Sequence, residues 1–271
     1  MRYICALTIA GSDCSGGAGI QADIKTMSAL GVYAAAAITS ITVQNTKGVK
    51  AVHGVNSLIV ADQIKAVMDD IKPDAVKIGM VNDCATIHAI ADSLKHYPKC
   101  PIVIDPIIVS TSGFNLMKPD ALELFCDSLL PMSTLLTPNL PETEILSNMK
   151  INIIDDMDIA AQKIMSLGCN AVLIKGGHID GGEKVDRLYM ANGIVQTFTR
   201  KTIDTQNTHG TGCTLSSAIT SFIARGLKLT DAIAAAKNYL SQALVAGKGI
   251  HIGEGHGPVN HLFNPEKLIT L

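Results

Sequence analysis

Short, unbroken apolar runs alternate with amphipathic segments along most of this chain, and that alternation admits few folds. The runs cover 3–10, 34–43, 75–78, 102–104, 135–137 and 171–174. Between them, apolar residues recur at helical spacing over 18–30, 57–71, 86–94, 119–129, 141–149 and 155–167. A strand that is apolar at every position has both faces buried, which marks a parallel sheet covered by helices on each side. Beyond Gly176 the rhythm changes. The segments 185–190 and 194–200 flank Ala191-Asn192-Gly193 and predict a hairpin, because Asn followed by Gly favours a tight turn. Helices are expected over 212–225 and 231–246, the second with Thr230 as its N-cap. The Gly- and His-rich stretch 247–257 reads as a surface loop. With no long linker and no internal repeat, the sequence predicts one α/β domain over 1–271.

Composition narrows the partners. Apolar residues make up 47% and charged residues 17%, which fits a globular chain with a sizeable core. A net charge of −2, no basic run and no Trp argue against nucleic acid and against anionic lipid. The seven cysteines are scattered and never form C-x-x-C, so neither a disulfide framework nor a zinc ribbon is expected, and a reducing cytoplasm suits them. The run 3–10 leads into a Gly-rich turn and a helix, so it reads as the first buried strand rather than a secretory signal. No apolar run approaches the roughly 20 residues a membrane helix needs.

In an open parallel sheet, ligands bind beyond the carboxyl ends of the strands. Polar clusters fall at such ends: Gly11-Ser12-Asp13, Gln44-Asn45, Gly79-Met80, Asp105, Thr137-Pro138-Asn139 and Lys175-Gly176-Gly177. Gly17-Ala18-Gly19-Ile20-Gln21-Ala22 matches a loose dinucleotide fingerprint. The acidic residue that should follow about 20 positions on is missing, since no Asp or Glu occurs from Ile24 to Ala61. No P-loop is present.

The sharpest segment is His209-Gly210-Thr211-Gly212-Cys213, whose small residues lead directly into an apolar helical run. A helix start of this kind offers free amides and the positive end of the dipole to an anion. Cys213 falls in the first turn, where a helix N-terminus lowers a thiol pKa. It reads either as a general base or as a small buried hydrophobe. Asp105 reads as a Mg²⁺ ligand or as a cap before Pro106. Glu142 reads as a second Mg²⁺ ligand or as a favourable first-turn charge. Lys175 reads as a phosphate contact or a solvated lysine. His251, His256 and His261 have no metal spacing and are assigned no role.

Together these residues resemble the ribokinase-like superfamily, and within it the hydroxymethylpyrimidine and phosphomethylpyrimidine kinases of thiamine biosynthesis. The markers run over nearly the whole chain. They are Ala10-Gly11-Ser12-Asp13, Ser15-Gly16-Gly17-Ala18-Gly19-Ile20-Gln21-Ala22-Asp23, Thr42-Val43-Gln44-Asn45 and Lys77-Ile78-Gly79-Met80. Further on come Ile104-Asp105-Pro106, Leu136-Thr137-Pro138-Asn139-Leu140-Pro141-Glu142, Ile174-Lys175-Gly176-Gly177-His178 and His209-Gly210-Thr211-Gly212-Cys213.

The resemblance implies a three-layer α/β/α sandwich with a mainly parallel central sheet. It implies two successive phosphorylations by ATP and Mg²⁺, first of 4-amino-5-hydroxymethyl-2-methylpyrimidine and then of its monophosphate. It places an anion hole on Gly210, Thr211 and Gly212, a base on Cys213, and pyrimidine contacts on Gly11, Asp23, Gln44, Met80 and Ile107. It places nucleotide contacts on Lys175, Asn139 and Thr208, the metal on Asp105 and Glu142, and the adenine near 233–243. It also implies a homodimer. Pyridoxal kinases share the fold and in part the Gly-Thr-Gly-Cys turn, and a catalytically idle pyrimidine sensor is the reading from another class. Four positions depart from the family's usual pattern. Cys14 stands in place of Ser, Ile107-Ile108 in place of Val-Met, and Phe114 in place of an acidic residue.

Overall fold

The continuous apolar runs all become strands. The computed structural model describes residues 1–97, 99–110, 113–176 and 183–271, so Ser112, Gly177 and His178 fall outside the described residues. The first half contains β1 (Cys5–Asp13), α1 (Gly19–Ala29), β2 (Tyr33–Asn45), β3 (Gly48–Gly54), α2 (Ser57–Asp70), β4 (Ala75–Ile78), α3 (Cys84–Leu94), β5 (Ile102–Ile104) and α4 (Ala121–Ser128). The second contains β6 (Leu135–Leu136), α5 (Leu140–Ser147), α6 (Ile154–Met165), β7 (Ala171–Lys175), β8 (Glu183–Met190), β9 (Val195–Lys201), α7 (Thr211–Ala224) and α8 (Leu229–Gly247).

Among the described residues the strands form one sheet in the order β3-β2-β1-β4-β5-β6-β7-β8-β9. The six strands from β2 to β7 in that order run parallel, while β3, β8 and β9 pair antiparallel at the edges. Adjacent residues of the central strands enter opposite cores. Ile104 and Ile174 pack with Ile64, Ile87, Ile90, Phe125 and Ile164 from α2, α3, α4 and α6. Val103 and Leu173 pack with Leu215, Ile219, Ile233 and Tyr239 from α7 and α8. Ala6 meets Met27 of α1 on that same second face. The result is the expected three-layer α/β/α sandwich. The chain leaves β1 toward β2 on one side and later places β4 on the other, so the carboxyl end of β1 is a topological switch point.

Some boundaries differ from the sequence reading. β1 runs on to Asp13, because Ser12 and Asp13 still pair with Ile41 and Thr42. β2 extends to Asn45 and folds back as β3, which periodicity does not reveal: Lys50 and His53 interrupt its apolar residues. Thr230 lies inside α8, whose N-cap is Lys228 with no side-chain cap bond.

Among the described residues one ion pair lies wholly inside the fold. Lys77 of β4 and Asp23 of α1 have no exposed side-chain surface, and the ammonium donates to both carboxylate oxygens at 3.0 and 2.8 Å. Thr8 of β1 and Ser217 of α7 each donate to Asp23 at 2.6 Å. Burial opposes the charge on Lys77, but Asp23, Cys213 and Asp105 together outweigh it and keep the ammonium protonated well above its ordinary value.

A second buried contact braces the start of α7. The Thr214 hydroxyl donates its single proton to the Gly210 carbonyl at 2.8 Å, so His261 Nε2, 3.0 Å away, must donate to the Thr214 oxygen. Tyr239 donates to the His261 carbonyl at 2.6 Å. Burial pushes the His261 imidazole down to about 4, with Lys25 and His209 adding to the effect. The sequence reading gave this histidine no role.

Removing one member of the buried pair strands the other. Lys77→Ala is expected to cost about 3–5 kcal/mol in chemical denaturation, and the double variant Lys77→Met/Asp23→Leu should recover much of that loss. The histidine gives a pH signature. Its contribution is complete above the unfolded pKa of about 6.5 and is lost as pH falls toward 4, where the unfolded chain binds a proton that the native chain refuses. Denaturation at pH 7 and pH 4.5 should show a steeper decline for the parent protein than for His261→Gln.

Candidate active site

The carboxyl ends of β1, β4, β5 and β7 face the N-terminus of α7, and most of the predicted residues meet there. α7 begins at Thr211, so the amides of Thr211, Gly212 and Cys213 have no partner within the helix. Gly210 precedes it with φ of 77°. A side chain at Gly210 would stand 1.9 Å from the Gly17 carbonyl, so glycine is required by conformation and by contact alike. The β1–α1 loop thus lies directly against the turn before α7. His209 packs on the same loop, since a side chain at Gly17 would come within 2.3 Å of its ring.

Asp105 and Lys175 stand over the first turn of α7. An added Cβ at Gly212 would lie 3.4 Å from Asp105 Oδ2 and 3.5 Å from Lys175 Nζ. The Lys175 ammonium donates to Asp105 at 2.9 Å, and the Thr137 hydroxyl donates to the same oxygen at 3.2 Å. The second Asp105 oxygen receives a long 3.4 Å contact from Ser216. Burial raises the Asp105 carboxyl, but Lys175 and Lys77 outweigh it and hold it below the ordinary carboxylate range. Asp105 and Glu142 in turn hold Lys175 protonated against its own burial. Lys175 is paired with a buried carboxylate, not free in solvent.

Glu142 occupies the third position of α5 in a capping box. It accepts from the Asn139 amide at 2.8 Å, and its own amide donates to the Asn139 side chain at 2.8 Å. Burial pushes its carboxyl up to about 7; Lys175 pulls it down and Asp105 raises it further. Asn139 bridges to Lys175 along the backbone, and Thr208 lies half-buried with its carbonyl receiving the Thr211 amide. Among the described residues no group of three or more His, Cys, Asp or Glu could hold a metal. The pair Asp105 and Glu142 does fit Mg²⁺, which keeps several waters and takes one or two carboxylates plus phosphate oxygens.

Cys213 is buried, and its environment reverses the expectation from its position in the sequence. Burial pushes the thiol up to about 12. Lys77 lowers it, Asp23 and Asp105 raise it, and the Gly19 amide aimed at its sulfur lowers it. Desolvation and two carboxylates together exceed Lys77 and the Gly19 amide.

The remaining residues form a second group around the end of β1. Gly11 lies against Ser40 and Met80: a side chain there would reach within 2.7 Å of the Ser40 hydroxyl and 3.4 Å of the Met80 thioether. Gln44 is half-buried near the end of β2, its amide nitrogen 3.2 Å from His209 Nε2. Ile107 is half-buried just past β5, and its amide donates to the Asp105 carbonyl at 2.8 Å. Asp23 differs from the expectation of a ring contact. It lies under the floor with its oxygens taken by Lys77, Thr8 and Ser217. Cys14 is exposed and bonds the Gln44 carbonyl at 3.1 Å. Phe114 lines a cleft with Asn45, Lys47 and Val49, beside Gln44 in sequence and separate from the α7 turn.

Sequence reasoning missed three groups here. Lys77 sits inside an apolar strand as one element of a marker, and its partner is 54 positions away. Asp13 gathers the amides of Ser15, Gly17 and Ala18, the Ser15 hydroxyl and the His209 ring. Burial alone would raise the Asp13 carboxyl, yet the bonds from His209, Ser15 and Ala18 hold it at about 2. His209 and Asp13 lie 196 positions apart, so only the folded chain joins them.

Comparison with known proteins identifies the family. The profile of the family described as phosphomethylpyrimidine kinase matches residues 13–260. A hydroxymethylpyrimidine/phosphomethylpyrimidine kinase of Rhizobium meliloti (strain 1021) is 48% identical over 258 residues, covering 94% of this chain and 96% of that protein. The crystal structure of a phosphomethylpyrimidine kinase from Clostridium difficile 630 superposes with a TM-score of 0.79 at 47% identity, covering 89% of this chain and 99% of the other. The pyridoxal kinase of Staphylococcus aureus, in complex with AMP-PCP and pyridoxal, gives a TM-score of 0.87 at 31% identity and covers 98% and 97% of the two chains. The fold is the ribokinase-like one, the chain is a kinase, and it belongs to the phosphomethylpyrimidine kinase family.

Proposed function

We propose that this chain uses ATP to phosphorylate the hydroxymethyl group of 4-amino-5-hydroxymethyl-2-methylpyrimidine and then phosphorylates the monophosphate, in thiamine biosynthesis. The observation that carries the reading is the meeting of Asp105 and Lys175 over the first turn of α7. Phosphoryl transfer is mostly positioning and charge stabilisation, and this is a place for the transferring group. The amides of Gly210, Thr211 and Gly212 donate to its oxygens, the Thr211 amide turning from its long 3.3 Å contact with the Thr208 carbonyl. Lys175, Asn139 and Thr208 hold the nucleotide phosphates, and α8 around 233–243 borders the adenine. Asp105 and Glu142 would hold Mg²⁺, which neutralises phosphate charge when bound.

Gly11, Met80, Ile107 and Gln44 face the ring. The Gln44 amide offers a donor and an acceptor to the aminopyrimidine edge. Asp23 serves the site from below by fixing Lys77. Cys213 meets the substrate hydroxyl, and Lys77 and the Gly19 amide are the groups that favour its thiolate. The chain works as one kinase domain over 1–271 in a reducing cytoplasm. A homodimer suits the exposed Ile41 and Val43 on the outer part of β2.

The two steps ask different things of Cys213. The first acceptor is a neutral alcohol that must lose a proton, whereas the second is an ionised phosphate. Cys213→Ala is expected to slow the first step by about 100-fold or more and the second far less; equal losses would refute the base role. Gly210→Ala should depress both steps by about 100-fold, because its methyl group drives the α7 start away from Gly17. ADP release measured with the aminopyrimidine and with pyridoxal decides the substrate. A preference for pyridoxal would overturn the proposal, and binding of the aminopyrimidine without turnover would favour a sensor.

A further inference from the structure

Gln44, His209 and Asp13 form a chain that phosphoryl transfer itself does not require. His209 Nε2 lies 2.8 Å from Asp13 Oδ2, and the Gln44 amide lies 3.2 Å from the same ring nitrogen. Asp13 is buried and ionised, held at about 2 against its burial by His209, Ser15 and Ala18. A carboxylate only accepts, so the proton in the short contact sits on Nε2. That nitrogen then has no lone pair to offer Gln44. The two ends of an amide are alike in shape, and their partners decide which way it points. The end that His209 satisfies is the oxygen, which shares the Nε2 proton with Asp13. The amide –NH₂ is therefore turned away from His209.

The imidazole has little freedom to undo this. Its ring rests on Gly17, and its backbone amide donates to the Gly257 carbonyl at 3.0 Å. Asp13 is tied in turn to the amides of Gly17 and Ala18 at 3.1 and 2.8 Å. The whole chain is anchored on the loop that touches Gly210.

We propose that Asp13 and His209 are positioning residues that lock the Gln44 amide in one orientation, so that the site selects a heteroaromatic edge with an acceptor opposite the –NH₂ and a donor opposite the oxygen. This rests on the reading above, in which Gln44 meets the ring. The 4-aminopyrimidine edge has that order: its ring nitrogen N3 accepts and its amino group donates. The 4-oxo analogue, with a protonated N3 beside a carbonyl, has the reverse order. A freely turning glutamine suits either edge. A locked one sets donor against donor and acceptor against acceptor for the oxo compound, and leaving buried polar groups unpaired is what makes hydrogen-bonding sites selective.

The test compares kcat/KM on the amino and oxo compounds for the parent enzyme, His209→Phe and His209→Gln. The parent should prefer the amino compound by about 100-fold or more. His209→Phe keeps a flat ring against Gly17 but has no N–H, and should cut that preference by about 10-fold, with KM for the amino compound changing more than kcat. His209→Gln, which restores an N–H between Asp13 and Gln44, should regain most of the preference. An unchanged preference in His209→Phe would overturn the lock. Nitrogen-15 NMR of His209 gives a readout that needs no substrate: the proton is expected on Nε2, and a proton on Nδ1 alone would also overturn the lock. An Nε2 proton in an enzyme that turns over neither pyrimidine would uphold the lock and sink the substrate reading instead.

Discussion

Lys77 and Asp23 meet where β1, β4, α1 and α7 come together, with no solvent on either side chain. Burying two charges costs several kcal/mol each before their attraction is counted, so such a pair is tolerated only where every partner is in place. Here the partners come from all four elements. Thr8 is the register neighbour of Lys77 across β1 and β4, Asp23 comes from α1, and Ser217 comes from α7. A shift of any one element strands a charge or leaves a carboxylate lone pair unsatisfied. The pair is therefore a register device more than a source of net stability. The elements it registers are those whose ends make the site.

Above that anchor, the two Gly-rich turns set how closely the loops can approach. Gly17 and Gly210 lie backbone to backbone, and a side chain at Gly19 would stand 2.3 Å from the Gly11 carbonyl. The absence of Cβ atoms lets the β1–α1 loop pack on the start of α7 and aim the Gly19 amide at the Cys213 sulfur. His261 and Thr214 brace the other side of the same turn through the Gly210 carbonyl. A helix N-terminus held from both sides presents its amides in one arrangement, which is the preorganisation that charge stabilisation needs.

How far these features can be read from sequence depends on whether their cause is local. The strand 102–104 is legible because three β-branched residues between turn signals permit little else, and the structure returns Ile102–Ile104 unchanged. Gly210 to Cys213 is legible as a helix start for the same local reason. β3 is not, since its apolar residues are interrupted by Lys50 and His53 and its strand character comes from pairing with β2. The charge network is illegible for a deeper reason. Lys77, Asp23, Asp13 and His209 acquire their roles from partners 54 to 196 positions away. A sequence shows which residues end a strand, but not that Asp23 points into the floor while Gln44 points across the site.

The Cys213 thiol shows what that network does to chemistry. Two ammonium groups, Lys77 and Lys175, face three carboxylates, Asp23, Asp105 and Glu142. A thiolate would be a fourth negative charge in a dry place, so the thiol rises to about 12 despite the helix terminus. Glu142 rises to about 7 under the same crowding, after burial itself. Burial is the first cause of both shifts, and a cation held by Asp105 and Glu142, as proposed, would relax them both. A loose phosphoryl-transfer transition state demands little of a base before the acceptor oxygen is engaged. On the proposed reaction the sulfur can take the alcohol's proton only as the thiolate, so the thiol's own proton must leave to solvent first. Lys77 and the Gly19 amide favour that form, and a cation bound beside Asp105 would favour it further.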